Sequence, residues 1–382
     1  MLDTVSTWWT VAGRHLAVDL VAAVLVAAIA VRVGRRISTP TPWRVDLATY
    51  GFALALCGAV AVVLRFVGIA PFTGAQRVFF PAGLAFYACG VVVPAWLAIR
   101  AARENGWARA AVASAPILLA AAMLTVEPNR LEVRRETIEL ATLPTGASIR
   151  IAHLSDVQTI GICERDREAA RAVAAFDPDF SVLTGDLVGG RPMPTVVSGM
   201  RAWLSGLAGA HGVFVVNGDS DADFEPLVAD LPRVTWLCDR GVDLDVRGAR
   251  LHVAGLDHRL PHDAAAALAR APSGATRILL AHSPDSFVEG SGWDAELGLA
   301  GHTHGGQVQL PGFGAIWTAT AIGRRYDRGV FRGMRARTDF PWRVDVLSIC
   351  GGLGMEGGFA PRVRLLCPPQ VLLLTLVAAA AR

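Results

Sequence analysis

The sequence predicts an α/β domain preceded by an N-terminal region of four membrane-spanning helices. Three features predict it. Apolar runs of bilayer length occupy the first third of the chain. From Ser148 onward, short apolar runs alternate with helical stretches. Carboxylates and imidazoles follow several of those short runs.

The long apolar runs are 16–33, 47–64, 78–99 and 110–126, of 18, 18, 22 and 17 residues. A bilayer core takes roughly 20 apolar residues per helix, and about 17 to 25 are tolerated. A signal peptide would account for one run, not four. Asp19 is the single acid in them and lies near the start of the first, where its carboxylate reaches water. The loop after the first run carries Arg35, Arg36 and Arg44, with Arg32 at its boundary. The loop after the third carries Arg100, Arg103 and Arg109. The loop between has Arg77, with Arg65 at its edge, and the N-terminal segment has Arg14. Arginine-rich short loops stay in the cytoplasm. Residues 1–128 are therefore expected to form a multi-pass membrane region with both ends outside, and the following domain to be extracytoplasmic.

Composition agrees with a partly lipid-embedded chain. It is 53% hydrophobic and only 18% charged. Every basic residue is arginine, and the net charge of +3 is too small to argue for nucleic acid. No basic run is interleaved with aromatics, so no nucleic-acid partner is expected. Of six cysteines, Cys57 and Cys89 fall in apolar runs, while Cys163, Cys238, Cys350 and Cys367 are scattered. No CxxC or Cys/His zinc spacing appears, which argues against a cysteine-based metal site. The last four are expected to be free thiols.

Residues 129–147 read as a charged connector, and 148–382 as the α/β domain. Strands are expected at 149–154, 180–183, 212–216, 277–281, 297–300 and 344–349. Helices are expected at 165–176 and 194–207, and from an Asp221 N-cap to residue 231. A hairpin is expected across 244–253 and a closing core strand at 371–377.

Asp156 follows the first strand, Gly185-Asp186 the second, and Gly218-Asp219-Ser220-Asp221 the third. His282 and Gly301-His302-Thr303-His304 follow later ones. In an α/β sheet the strand ends gather at one edge, where ligands bind. Crowded carboxylates repel and buried imidazoles need partners, so a cation resolves both. Mixed nitrogen and oxygen ligands suit Zn, Fe or Mn. His153, His211, His252 and His15 are expected to be structural.

These residues resemble the calcineurin-like metallophosphoesterase family over about 148–376. The segment Gly301-His302-Thr303-His304-Gly305-Gly306-Gln307, the Gly351-Gly352-Leu353-Gly354 run and the late Pro368-Pro369 strand resemble its bacterial membrane-associated subgroup. The resemblance implies a two-sheet sandwich flanked by helices. It also implies two divalent metal ions sharing a bridging aspartate. One would be held by Asp156, Asp186 and His304, with Gln158 where the family has histidine. The other would be held by Asp186, Asp219, His282 and His302.

The sequence departs from the family at Asp156-Val157-Gln158, where an amide replaces an imidazole. It departs again at Gly218-Asp219-Ser220-Asp221, where Asp219 replaces an asparagine and Ser220 the histidine that assists the leaving group. Asp219, Asp221 and His258 are the catalytic candidates, with His262 beside them as another possible acid. The function expected is hydrolysis of a phosphomonoester or phosphodiester by a membrane-anchored enzyme, on a substrate such as a lipid-linked or cell-envelope ester. Its expected partners are that phosphoester and membrane lipids. The alternative is a metal-binding or regulatory membrane protein with a degenerate site.

Overall fold

The computed structural model describes residues 20–34, 42–67, 76–189, 193–207, 209–221, 224–228, 230–258, 263–356 and 361–380. The chain divides into two compact units, Met1–Val126 with Glu356–Val363, and Glu127–Met355 with Arg364–Arg382.

The first unit is helical. Its described helices are α1 (Leu20–Gly34), α2 (Pro42–Val67), α3 (Gln76–Tyr87), α4 (Val93–Arg103) and α5 (Trp107–Thr125). A π turn at Ala88–Val92 joins α3 to α4. Pro94 has no N–H to offer the Gly90 carbonyl, which explains a widened turn at that point. Two segments, Pro81–Arg103 and Trp107–Asn129, are long and apolar enough to cross a membrane. Val112 and Leu118 on α5 are 75% and 70% exposed, as lipid-facing residues would be. At one end Asp46 meets Arg100 and Arg109, and Glu104 meets the same two arginines. Asp19 and His15 lie outside the described residues.

The second unit has two six-stranded sheets. The first sheet runs β1 (Glu132–Leu140), β14 (Gln370–Ala378), β2 (Ser148–Leu154), β3 (Phe180–Leu183), β4 (Val213–Val215) and β5 (Val234–Trp236). Strands β2 to β5 are mutually parallel, and β14 is antiparallel to β2. The second sheet runs β12 (Gly329–Arg332), β13 (Val344–Ile349), β9 (Ala295–Ala300), β8 (Thr276–Leu280), β7 (Ala249–Gly255) and β6 (Arg240–Val246). In it β7, β8, β9 and β13 are parallel, and β6–β7 is the expected hairpin. A small ribbon pairs β10 (Gln309–Leu310) with β11 (Gly314–Ala315).

Alternation along the strands builds the layers. Ile149, Ile151, Leu372 and Leu374 face a core shared with Leu251, Val253, Ile278 and Leu297 of the other sheet. Their neighbours Ala152, Leu154, Val371 and Leu373 face α6 (Glu164–Phe176) and α7 (Pro194–Gly206). Both faces of β14 are buried, which is why 371–377 reads as an unbroken apolar run. The outer face of the second sheet is covered by α8 (Ala264–Leu268), Tyr326 and Trp342. The two-sheet α/β expectation is met in this unit.

Two expectations need correcting. The stretch read as a connector contains β1, which pairs in parallel with β14 over its whole length. Its exposed Arg134 and Arg135 hide the pattern, because an edge strand needs burial on only part of one face. Of the helix expected from Asp221 to residue 231, the described residues show a single turn at Glu225–Leu227. Asp221 bonds other main-chain amides instead of capping a helix.

Candidate metal centre

The parallel strands of both sheets end at one edge, and the loops beyond them meet. Asp156 N donates to the Gly185 carbonyl, Gly301 N to the His282 carbonyl, and Ser155 Oγ to the Thr184 carbonyl. Asp156, Gln158, Asp186, His302 and His304 all adopt positive φ, at 48°, 38°, 55°, 67° and 49°. Each such non-glycine residue costs about 1–2 kcal/mol. Their clustering marks a place where the surrounding fold over-determines the backbone. Glycines make the approach possible. A Cβ on Gly218 would lie 2.3 Å from Asp186 Oδ1, and one on Gly185 2.6 Å from His282 Nδ1.

The imidazoles are held in defined tautomers. His282 Nδ1 lies 2.7 Å from the Thr184 carbonyl, and His302 Nε2 lies 3.2 Å from the Ala319 carbonyl. A carbonyl can only accept, so each of these nitrogens carries the proton. The other ring nitrogens, His282 Nε2 and His302 Nδ1, face each other at 3.1 Å. Asp219 lies 3.8 Å from the first and 3.7 Å from the second. Asp186 Oδ2 is 3.8 Å from His282 Nε2, and His304 Nε2 is 3.4 Å from Asp156 Oδ1. Imidazole nitrogens and carboxylate oxygens crowded in this way form a donor set that a cation can satisfy. Two groups have ligand atoms within 4.8 Å of one another: Asp219, His282 and His302, and Asp156, Asp186 and His282.

Burial, with Asp186 nearby, pushes the Asp156 carboxyl well above the usual carboxylate range. Burial also raises Asp219, but the His258 hydrogen bond and the charges of His282 and His302 outweigh it and hold that carboxyl low. The hydrogen bond to Asp219 raises His258.

The structure brings Asp156, Asp186, Asp219, His258, His282, His302 and His304 together. His258 Nε2 lies 2.5 Å from Asp219 Oδ1, and its ring is 5.1 Å from that of His282. Gln158 enters differently from the expected ligand oxygen. Its amide nitrogen donates to Asp186 Oδ2 at 3.0 Å, because a carboxylate there can only accept. Ser220 also serves Asp186, donating from both N and Oγ to Oδ1 at 3.0 Å.

Asp221, expected among the catalytic groups, is fully buried. Its oxygens accept from Asp186 N, Leu187 N and Gly218 N at 2.6, 2.9 and 2.9 Å. Burial pushes its carboxyl up to about 6. It braces the Asp186 loop through these main-chain amides. His262 lies outside the described residues. His153 is buried in β2 with Nε2 on Thr184 Oγ1, and burial lowers its imidazole to about 3. His252 is held by Asp243 and the Ala267 carbonyl. All six cysteines are free.

Sequence reasoning missed Arg364. Its guanidinium is completely buried and donates to the carbonyls of Gly351, Gly352, Gly354, Cys367 and His304 at 2.6–3.3 Å. It ties the glycine-rich loop to the His304 loop, beneath Asp156. The only sequence signal was a charge amid the apolar 363–367 stretch. Replacing Arg364 with Leu strands these carbonyls, and is expected to lower stability in chemical denaturation by about 3–5 kcal/mol. Arg364→Lys should recover only part of that, since an ammonium has three donors where the guanidinium has five.

The chain is similar to an uncharacterized metallophosphoesterase, YkuE, of Bacillus subtilis (strain 168), at 25% identity over 265 residues. That match covers 66% of this chain and 87% of the relative. It is also similar to an uncharacterized metallophosphoesterase of Aquifex aeolicus (strain VF5), at 27% identity over 263 residues, covering 66% and 94%. Both relatives are named metallophosphoesterases. No family model matches the chain. Among solved structures, the Escherichia coli phosphoesterase Yfce overlaps at a TM-score of 0.30 and 13% identity, over 56% of this chain and 85% of that one. A Thermus thermophilus structure overlaps at 0.33 and 14%, over 54% and 91%.

Proposed function

We propose that this protein is a metal-dependent phosphoesterase. The observation that carries the reading is the convergence of His282 Nε2 and His302 Nδ1, 3.1 Å apart, with Asp156, Asp186 and Asp219 in two groups of clustered ligand atoms. The residues present fit divalent ions such as Mn, Fe or Zn. Asp156, Asp186 and His304 would hold one, and Asp186, Asp219, His282 and His302 the other. Asp186 is the residue to be shared, because a carboxylate can bridge two cations while an imidazole nitrogen has one lone pair. Ions bound there supply charge neutralisation for phosphoryl oxygens and a lowered pKa for the attacking water.

The protein's own groups do the rest. Gln158, Ser220 and Asp221 fix the Asp186 carboxylate and its loop, so that little reorganisation is needed during reaction. His258, hydrogen-bonded to Asp219, takes the place of the histidine absent at position 220 and donates a proton to the leaving oxygen. Arginine-rich loops and the two long apolar helices support a membrane-anchored enzyme with four spans and an extracytoplasmic catalytic unit. Such anchoring favours a lipid-linked or cell-envelope phosphoester.

The full chain purified in detergent should contain bound divalent metal and hydrolyse p-nitrophenyl phosphate or bis(p-nitrophenyl) phosphate. Bound metal without turnover on either ester would favour a degenerate binding domain, the reading that Gln158 and Ser220 motivate. Restoring histidine at both positions should then create activity. No bound metal at all would remove the basis of both readings.

A further inference from the structure

The loop after His304 forms a wall of the centre and ends in an exposed apolar tip. The wall is tied down on the site side. The Ala319 carbonyl meets His302 Nε2 at 3.2 Å, and Gln309 Nε2 donates to the Gly305 carbonyl at 3.0 Å. Gly306 packs so tightly beneath Ala315 that a Cβ there would lie 2.6 Å from the alanine methyl. On the outer side Leu310, Phe313, Ile316 and Trp317 are 43%, 52%, 51% and 46% exposed. A monomeric soluble surface seldom gathers so many large apolar side chains over so few residues.

The charges carried by the tip segment itself have one sign, while Asp285, Asp327 and Asp339 lie at its base, held by Ala321 N and Ile322 N, by Gln309 and beside Arg325. No aspartate or glutamate occurs between Glu296 and Asp327. Arg324 stacks on Phe313 with its guanidinium 3.7 Å from the ring centroid, and bonds the Phe313 carbonyl at 2.6 Å. Arg325 beside it is 72% exposed, with Asp339 at 4.0 Å. Phenylalanine, tryptophan, isoleucine and leucine backed by arginine are what an anionic lipid surface selects. The rings and aliphatic groups enter the acyl boundary, the tryptophan sits at headgroup depth, and the guanidiniums meet phosphates. A protein partner would more often bring complementary acids into a dry, well-packed core.

We propose that the Leu310–Trp317 tip, with Arg324 and Arg325, docks on an anionic phospholipid bilayer and holds the mouth of the metal centre at headgroup level. The substrate class is then a phosphoester borne by a lipid headgroup. The substrate part rests on the phosphoesterase reading, whereas the docking does not.

The test uses the full chain in nanodiscs of phosphatidylglycerol and phosphatidylcholine, with p-benzoylphenylalanine placed at Phe313. Ultraviolet light should give lipid adducts at this position. The same probe at Asp177, 81% exposed on another loop, should give none. Charge reversal, Arg324→Glu with Arg325→Glu, should cut the adduct yield about tenfold. A second probe at Ile316 covers the case in which the Phe313 variant folds poorly. Adducts to a second copy of the chain, to another segment of the same chain, or to nothing at both positions would overturn the docking. The readout needs neither metal nor turnover. Lipid adducts in a protein that hydrolyses no ester would leave docking intact and sink the hydrolase. Ester hydrolysis without lipid adducts would sink docking alone.

Discussion

Asp186→Asn is expected to lower ester hydrolysis by about a thousandfold or more, equivalent to about 4 kcal/mol of transition-state stabilisation. It should also strip metal from the purified protein. The reason lies in where this carboxylate sits. It shares one ligand group with Asp156 and lies 3.8 Å from His282 Nε2, which belongs to both groups. Asparagine keeps the shape and removes the charge. It also turns an amide NH2 or a neutral oxygen towards Gln158 and Ser220, whose donors now converge on two anionic oxygens. The loop should still fold, because Asp221 holds it through main-chain amides. Metal content by elemental analysis and turnover on bis(p-nitrophenyl) phosphate are the two measurements. Near-normal values for both would mean that Asp186 bridges nothing, and the two-ion assignment would fail.

His258→Ala should separate substrates by leaving group. A positioned general acid contributes typically about 10²–10⁴-fold. An alkyl phosphate leaves as a strongly basic alkoxide and needs that proton. Nitrophenolate leaves without one. The variant is therefore expected to lose about a hundredfold or more on an alkyl phosphomonoester and less than about tenfold on p-nitrophenyl phosphate. Metal content should stay near the parent level, since His258 belongs to neither group of clustered ligand atoms. Equal losses on both esters would make His258 a support for Asp219 and not an acid. No loss on either would leave leaving-group protonation to some other group.

The amount of the fold legible in sequence follows burial. Strands β2, β3, β8, β9 and β13 are buried on both faces, so they read as compact apolar runs. Strand β1 was not legible because half of it is solvated and its partner β14 lies more than 200 residues away, at Gln370–Ala378. The Asp221 region reads as a helix start from local chemistry. Tertiary contact overrides it, because the same carboxylate can satisfy three amides of another loop.

Which residues could hold cations was already written in the linear chain, since the Asp, Gly-Asp and Gly-His-Thr-His segments each follow an apolar strand. Strand order and side-chain alternation are local properties, and local patterns survive in a linear reading. How those residues are used came from folding in three dimensions. Folding fixed the His282 and His302 tautomers through the carbonyls of Thr184 and Ala319, which come from other segments of the chain. It turned Gln158 into a donor, made Asp221 a brace and brought His258 to Asp219. It buried Arg364 among five carbonyls of the glycine-rich loop, Cys367 and His304. A hydrogen bond depends on distance and direction in space, and neither is encoded by spacing along the chain.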